Sequence, residues 1–191
     1  PASAPAPSMS CSSNLATVHS VRRSLLRAAL ALPFAGMAGA STAVSPFPGL
    51  RRWGSGAFRR FGFHVYDATL WAGDDPLQPP LALRLDYKRS IAGKAIAEAS
   101  LREMREMRKL VADTSQLEAW GAEMARIFPD VRAGDHLIGL WQPEGACFLQ
   151  GGRTLGDVDD PAFARAFFDI WLDEKTSAPE LRAALLTPPA G

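Results

Sequence analysis

The 191-residue chain is 47% hydrophobic and 21% charged, the make-up of a soluble globular protein with one core and an extra segment. It carries 21 Lys and Arg against 20 Asp and Glu, and three of the bases, Arg22, Arg23 and Arg27, fall in a first forty residues that hold no acid. The remaining 18 bases against 20 acids leave no positive excess to neutralise phosphates, which excludes a general nucleic-acid binder.

Residues 1–8, PASAPAPS, are low in complexity, and Met9 is the expected start. From Val21 the chain reads as a secretory signal: a basic cluster, an apolar stretch from Leu25 to Gly39, and a small-residue end at Ala38-Gly39-Ala40. Arg27 and Pro33 interrupt the stretch, which falls short of the ~20 residues a spanning helix needs. Export to the periplasm or cell envelope with removal of the leader is therefore expected, with no stable membrane span afterwards. An amphipathic N-terminal helix or membrane anchor is the competing reading. Arg22-Arg23 also fits a twin-arginine signal, so the route, general secretory or twin-arginine, stays open. Cleavage after Ala40 removes Cys11 and leaves Cys147, so no intramolecular disulfide is expected, and Cys147 reads as a small core residue. The organisation is thus a leader over 1–40, a Pro/Ser/Gly linker over 41–52, a domain over 53–187 and a tail over 188–191.

Within the domain, RRFGFHVY and ATLWA read as strands, rich in aromatic and β-branched residues. LALRLDY alternates, with Leu81, Leu83, Leu85 and Tyr87 on one face. Ile91 to Leu110 has helical spacing, and Ser115 with Glu118 forms a capping box for a second helix that Pro129 stops. HLIGLW and ACFLQ are strands joined by Pro143-Glu144-Gly145, and Gly151-Gly152 turns into a further strand, RTLGDV. Asp160-Pro161 opens a third helix whose apolar face is Phe163, Phe167, Ile170 and Trp171. Ser177 and Glu180 are expected to cap a last helix through Leu186. Strand pairs with helices between and after them predict an α+β fold, a mostly antiparallel sheet with a helical layer on one face.

Motifs for nucleotide, zinc or nucleophilic chemistry are missing. There is no glycine-rich phosphate loop or paired C-x-x-C, and Gly54-Ser55-Gly56 lacks the spacing of a nucleophile elbow. His64 and His136 have no ligand spacing, and Asp160 serves better as a helix cap than beside Asp157 and Asp159 as a calcium ligand. No metal and no cofactor is expected. The charges from Lys94 to Lys109 read either as a basic membrane-surface helix or, more simply, as a solvated face with i,i+3 and i,i+4 pairs. In the strand from Ala57 to Tyr66, alternation sends Arg59 and Arg60 to opposite faces. An inward guanidinium needs a carboxylate partner or an anionic ligand, whereas a rim position needs neither. Arg60 shares a face with Tyr66 in a regular strand; a bulge at Gly62 brings Arg59 into that register instead.

GSGAFRRFGFHVYDATLW, LRLDYKRSIAGKAIAEASLREM, FPDVRAGDHLIG and DPAFARAFFDIWLDEKTSAPELRAALL, in this order, resemble the bacterial chalcone isomerase-like family over nearly all of the chain after the linker. The resemblance implies an open sandwich of antiparallel sheet and helices with an apolar cleft between them. Plant chalcone isomerases close a flavanone ring, and related plastid proteins bind fatty acids. Both meet a negative oxygen with an arginine of the glycine-containing strand, and the fatty-acid binders add a tyrosine from the following strand. Those positions fall here at Arg59 or Arg60 and at Tyr66, with Tyr87 as the remaining tyrosine of the candidate ligand site. The tyrosine and asparagine that working isomerases carry on the helix after the third strand have no counterpart between Ile91 and Leu110. The resemblance thus implies a pocket for an apolar carboxylate such as a fatty acid, or for a phenolic small molecule, more than it implies the reaction. An isomerase or lyase acting on an enone is the alternative, and an envelope structural or partner-binding module a further one.

Overall fold

The computed structural model describes residues 46–107 and 113–188. Six strands follow one another across a single sheet in the order β1 to β6, each antiparallel to its neighbour: β1 Arg51–Arg60, β2 Phe63–Ala72, β3 Leu81–Tyr87, β4 His136–Gln142, β5 Gly145–Gln150 and β6 Arg153–Val158. Four helices, α1 Gly93–Met107, α2 Thr114–Ile127, α3 Pro161–Leu172 and α4 Pro179–Leu185, complete the described fold. The α+β class and the antiparallel sheet with helices follow the expectation.

The run RRFGFHVY is not one strand. Phe61 and Gly62 have φ of 50° and 79° and form the turn between β1 and β2. Two residues with positive φ match the right-handed twist of the flanking strands, which is why such turns close tight hairpins. Glycine adopts this region freely; Phe61 does so against its Cβ. Gly151 and Gly152, at φ of 58° and 79°, make the expected turn between β5 and β6. The β1–β2 register also slips: Phe58 opposes Tyr66 but Arg59 opposes His64, so Val65 is an extra residue bulged out of the ladder.

Alternation in β3 holds. Leu81, Leu83, Leu85 and Tyr87 all enter the core between the sheet and the helices, while Ala82 turns to a smaller cluster on the other face with Phe47, Leu50, Trp71 and Leu149. Phe163, Phe167 and Trp171 of α3 are buried on that core, with Ile170 partly buried beside them. Phe168 is also fully buried and stacks on Trp141 at 5.4 Å, so α3 packs through a wider face than a single stripe.

Asp160 caps α3 as expected, accepting from the backbone N–H of Ala162 and Phe163. The other two caps differ. Asp113, not Ser115, caps α2, its carboxylate accepting from the Ser115 N–H at 3.0 Å, two residues earlier than the capping box predicts. α4 has Ala178 rather than Ser177 at its N-cap, with no side-chain cap and with Pro179 in its first turn. Cys147 is disulfide-bonded in the full-length chain, whereas the expectation of no intramolecular disulfide concerned the cleaved chain. That expectation counted only the cysteine left after cleavage; the chain's other cysteine, Cys11, lies outside the described residues, as do the leader and residues 41–45 of the linker. Among the described residues no helix is long and apolar enough to cross a membrane.

Candidate functional site

A cavity of about 470 Å³ lies between the sheet and the helices α1 and α3. That volume is within the range of small-molecule pockets. The sheet supplies Leu83, Leu85, Leu137 and Phe148, and α3 supplies Phe167, Ile170 and Trp171. From α1, Ala95 and Ala99 face the space one turn apart. Their short side chains leave the space between helix and sheet unfilled. The charged members of the lining, Arg60, Arg102 and Glu103, gather at its solvent-facing rim.

Of the sequence-derived site residues, Arg60, Tyr66 and Tyr87 line this cavity together. Phe58, two residues before Arg60 on the same strand face, stacks on the Tyr66 ring at 4.9 Å, and Tyr87 meets that ring edge-on at 5.9 Å. Arg59 is exposed and outside the lining. The inward guanidinium anticipated from alternation is a rim guanidinium: β1 is an edge strand, and the Arg60 side chain is 47% exposed. Its nearest acid, Glu103 of α1, stands at 3.8 Å, beyond hydrogen-bonding distance, so the guanidinium's donors are not committed to it.

Tyr66 is held from the opposite layer. The Trp171 indole N–H donates to its hydroxyl oxygen at 3.0 Å, across 105 residues of sequence. With the oxygen used as acceptor, the phenol keeps its own proton to donate. Burial pushes the Tyr66 pKa well up; the Trp171 hydrogen bond opposes this and the charge of Glu103 adds to it. Burial, then the neighbouring Tyr66, raises Tyr87 likewise. Both therefore stay neutral phenols, able to donate to an oxyanion but poor as bases. Ser100 spends its hydroxyl proton on the Ile96 carbonyl at 3.0 Å.

Trp171 and Glu103 were legible only as a core residue and as part of a solvated helix face. The spacing of Ile96, Ala99, Ser100 and Glu103 puts them on one face of α1, which is the signal that could have marked the wall. Nothing in the spacing links Trp171 to Tyr66. Among the described residues no cluster of His, Cys, Asp and Glu could hold a metal ion.

A family model described as chalcone isomerase-like matches residues 50–187. No curated protein matches the chain. Solved structures do, 36 chains of them. One is the crystal structure of a fatty-acid binding protein from Arabidopsis thaliana, 13% identical, aligned over 74% of this chain and 89% of that one with a TM-score of 0.60. At that identity the likeness shows the shared fold.

Proposed function

Because the chain belongs to the chalcone isomerase-like family, whose fold serves more than one activity, we propose that its cavity holds a fatty acid or a similar apolar carboxylate without transforming it. The observation that carries this reading is the division of the lining: mostly aliphatic and aromatic side chains, with the Tyr66 and Tyr87 phenols and the charged groups Arg60, Arg102 and Glu103 among its few polar members. Such a site suits a ligand that is apolar along its length and anionic at its tip. The carboxylate takes donors from Arg60 and Tyr66, and the chain lies along Leu83, Leu85 and Phe167. The fold is shared with a protein described as binding fatty acids, which supports the same ligand class here. The buried phenols stay neutral and are donors rather than bases, which supports a carrier or sensor over a catalyst that relies on them. We place the protein in the periplasm or envelope after loss of its leader, on the sequence evidence.

Displacement of a fluorescent fatty acid tests the site. A charge-assisted hydrogen bond is worth about 1.5–3 kcal/mol, and the half-exposed position of Arg60 places it at the low end, so Arg60→Met weakens binding roughly tenfold. Arg59→Met leaves affinity unchanged, and the recovered ligand is chemically intact. Equal loss from both arginines, or none from either, would sink the assignment.

A further inference from the structure

Phe61 and Phe63 are the two exposed large hydrophobic residues among those described, 87% and 58% exposed, and they stand together at the tip of the β1–β2 hairpin. Isolated surface apolar residues are ordinary; a pair of phenylalanines projecting from one turn is not. Phe61 also holds positive φ, a position where glycine or asparagine sits without cost. The tip is ringed by bases. Arg60 lies over the Phe61 ring at 5.5 Å and Arg89 over the Phe63 ring at 4.5 Å. The loop that brings Arg89 there is tied to β2 by the Lys88 N–H bond to the Val65 carbonyl at 2.9 Å. Arg59 completes the basic set. Of the acids nearby, Asp67 is engaged with His64 and Lys88, and Glu103 faces Arg60 at 3.8 Å. Arg59 and Arg89 have no carboxylate partner among the described residues.

Aromatic rings at the apex with arginines behind them are complementary to a surface that is apolar within and anionic at its face. We propose that the Phe61–Phe63 tip docks on an anionic lipid bilayer, the two rings entering the acyl boundary while Arg59 and Arg89 meet the headgroup charges. Arg60 belongs to both the tip and the rim of the cavity, so docking turns that rim toward the membrane. This goes beyond the ligand reading, since docking needs no occupant in the cavity.

The test is co-sedimentation of the ligand-free full chain with vesicles of phosphatidylglycerol and phosphatidylcholine in equal parts, beside vesicles of phosphatidylcholine alone. Binding is expected on the anionic vesicles and falls at high salt. Phe61→Ser with Phe63→Ser lowers it at least tenfold, and Arg59→Gln or Arg89→Gln lowers it about fivefold each, the equivalent of about 1 kcal/mol per basic residue. Phe61→Trp retains binding, and its fluorescence shifts to the blue on the vesicles. Phe61→Asn, which suits the positive φ, guards against misfolding as the cause of a loss. Solution affinity for a fluorescent fatty acid is unchanged in all of these variants, because none alters the cavity lining; failure of the carrier reading would leave the vesicle result standing. Equal binding to both vesicle types, tip variants that bind as well as the parent, or a parent that self-associates through the tip and ignores vesicles, each overturns the proposal.

Discussion

Trp171 and Tyr66 divide the labour in the cavity wall: the indole N–H holds the phenol oxygen, and the phenol lines the cavity. Tyr66→Phe therefore has a structural cost as well as a binding cost. It strands a buried N–H on Trp171, a penalty of about 1–3 kcal/mol, so the denaturant midpoint falls while affinity also drops. An unchanged midpoint would show that the hydrogen bond contributes nothing. The two tyrosines also set an alkaline limit. Each has a folded-state pKa raised above the ordinary 10.0, so the folded state holds its proton where the unfolded chain releases it. Stability is then independent of these groups below pH about 10 and declines as pH rises beyond it. Thermal melts from pH 8 to 11 should show that decline, and Tyr66→Phe with Tyr87→Phe should flatten it. A double variant with the same alkaline slope as the parent would place the titration elsewhere.

At the level of elements, α4 lies on β1 because β1 is poor in side chains there. A Cβ at Gly54 would collide with the backbone carbonyls of Ala184 and Leu185, and one at Gly56 with the side chains of Ala184 and Leu181. Leu181 and Leu185 of α4 are buried in the main core, so pushing the helix away exposes them. Gly54→Val is expected to cost about 1–3 kcal/mol or more by overpacking. Gly73→Ala, where nothing lies within 4 Å and φ is not positive, is the matched control and should be neutral. Denaturant midpoints of the two variants check this. Equal midpoints would mean that α4 moves off β1 freely. The β1–β2 hairpin teaches a related lesson. Its turn residues include a phenylalanine where the usual sequence signal is Asn-Gly or Asp-Gly, so composition alone ran the two strands together.

For the whole molecule, the leader remains the strongest feature of the sequence that the described residues do not reach. N-terminal sequencing of envelope-fraction protein should begin at or near Ser41. An intact N-terminus in that fraction would refute cleavage. Removal of residues 1–40 also takes away Cys11, so a processed chain cannot keep an intramolecular bond at Cys147. Intact mass without reductant reports both events at once.

The sequence by itself determined the fold class, most strands and helices, the α3 cap at Asp160 and the family, because these rest on local period, turn chemistry and motif order. It also put forward Arg59, Arg60, Tyr66 and Tyr87 as candidate ligand residues, but did not single out Ser100, Arg102, Glu103 or Ser177, which share the cavity lining. Only the tertiary structure decided between the two arginines. The hairpin turn at Phe61-Gly62 and the bulge at Val65 fix which side chains share a face, and a shift of one residue exchanges the faces. The rim position of Arg60 follows from β1 lying at the sheet edge, a fact of strand order that periodicity does not encode. Trp171 could meet Tyr66 only once α3 had crossed the sheet, since the partners are 105 residues apart and each reads locally as an ordinary aromatic core residue.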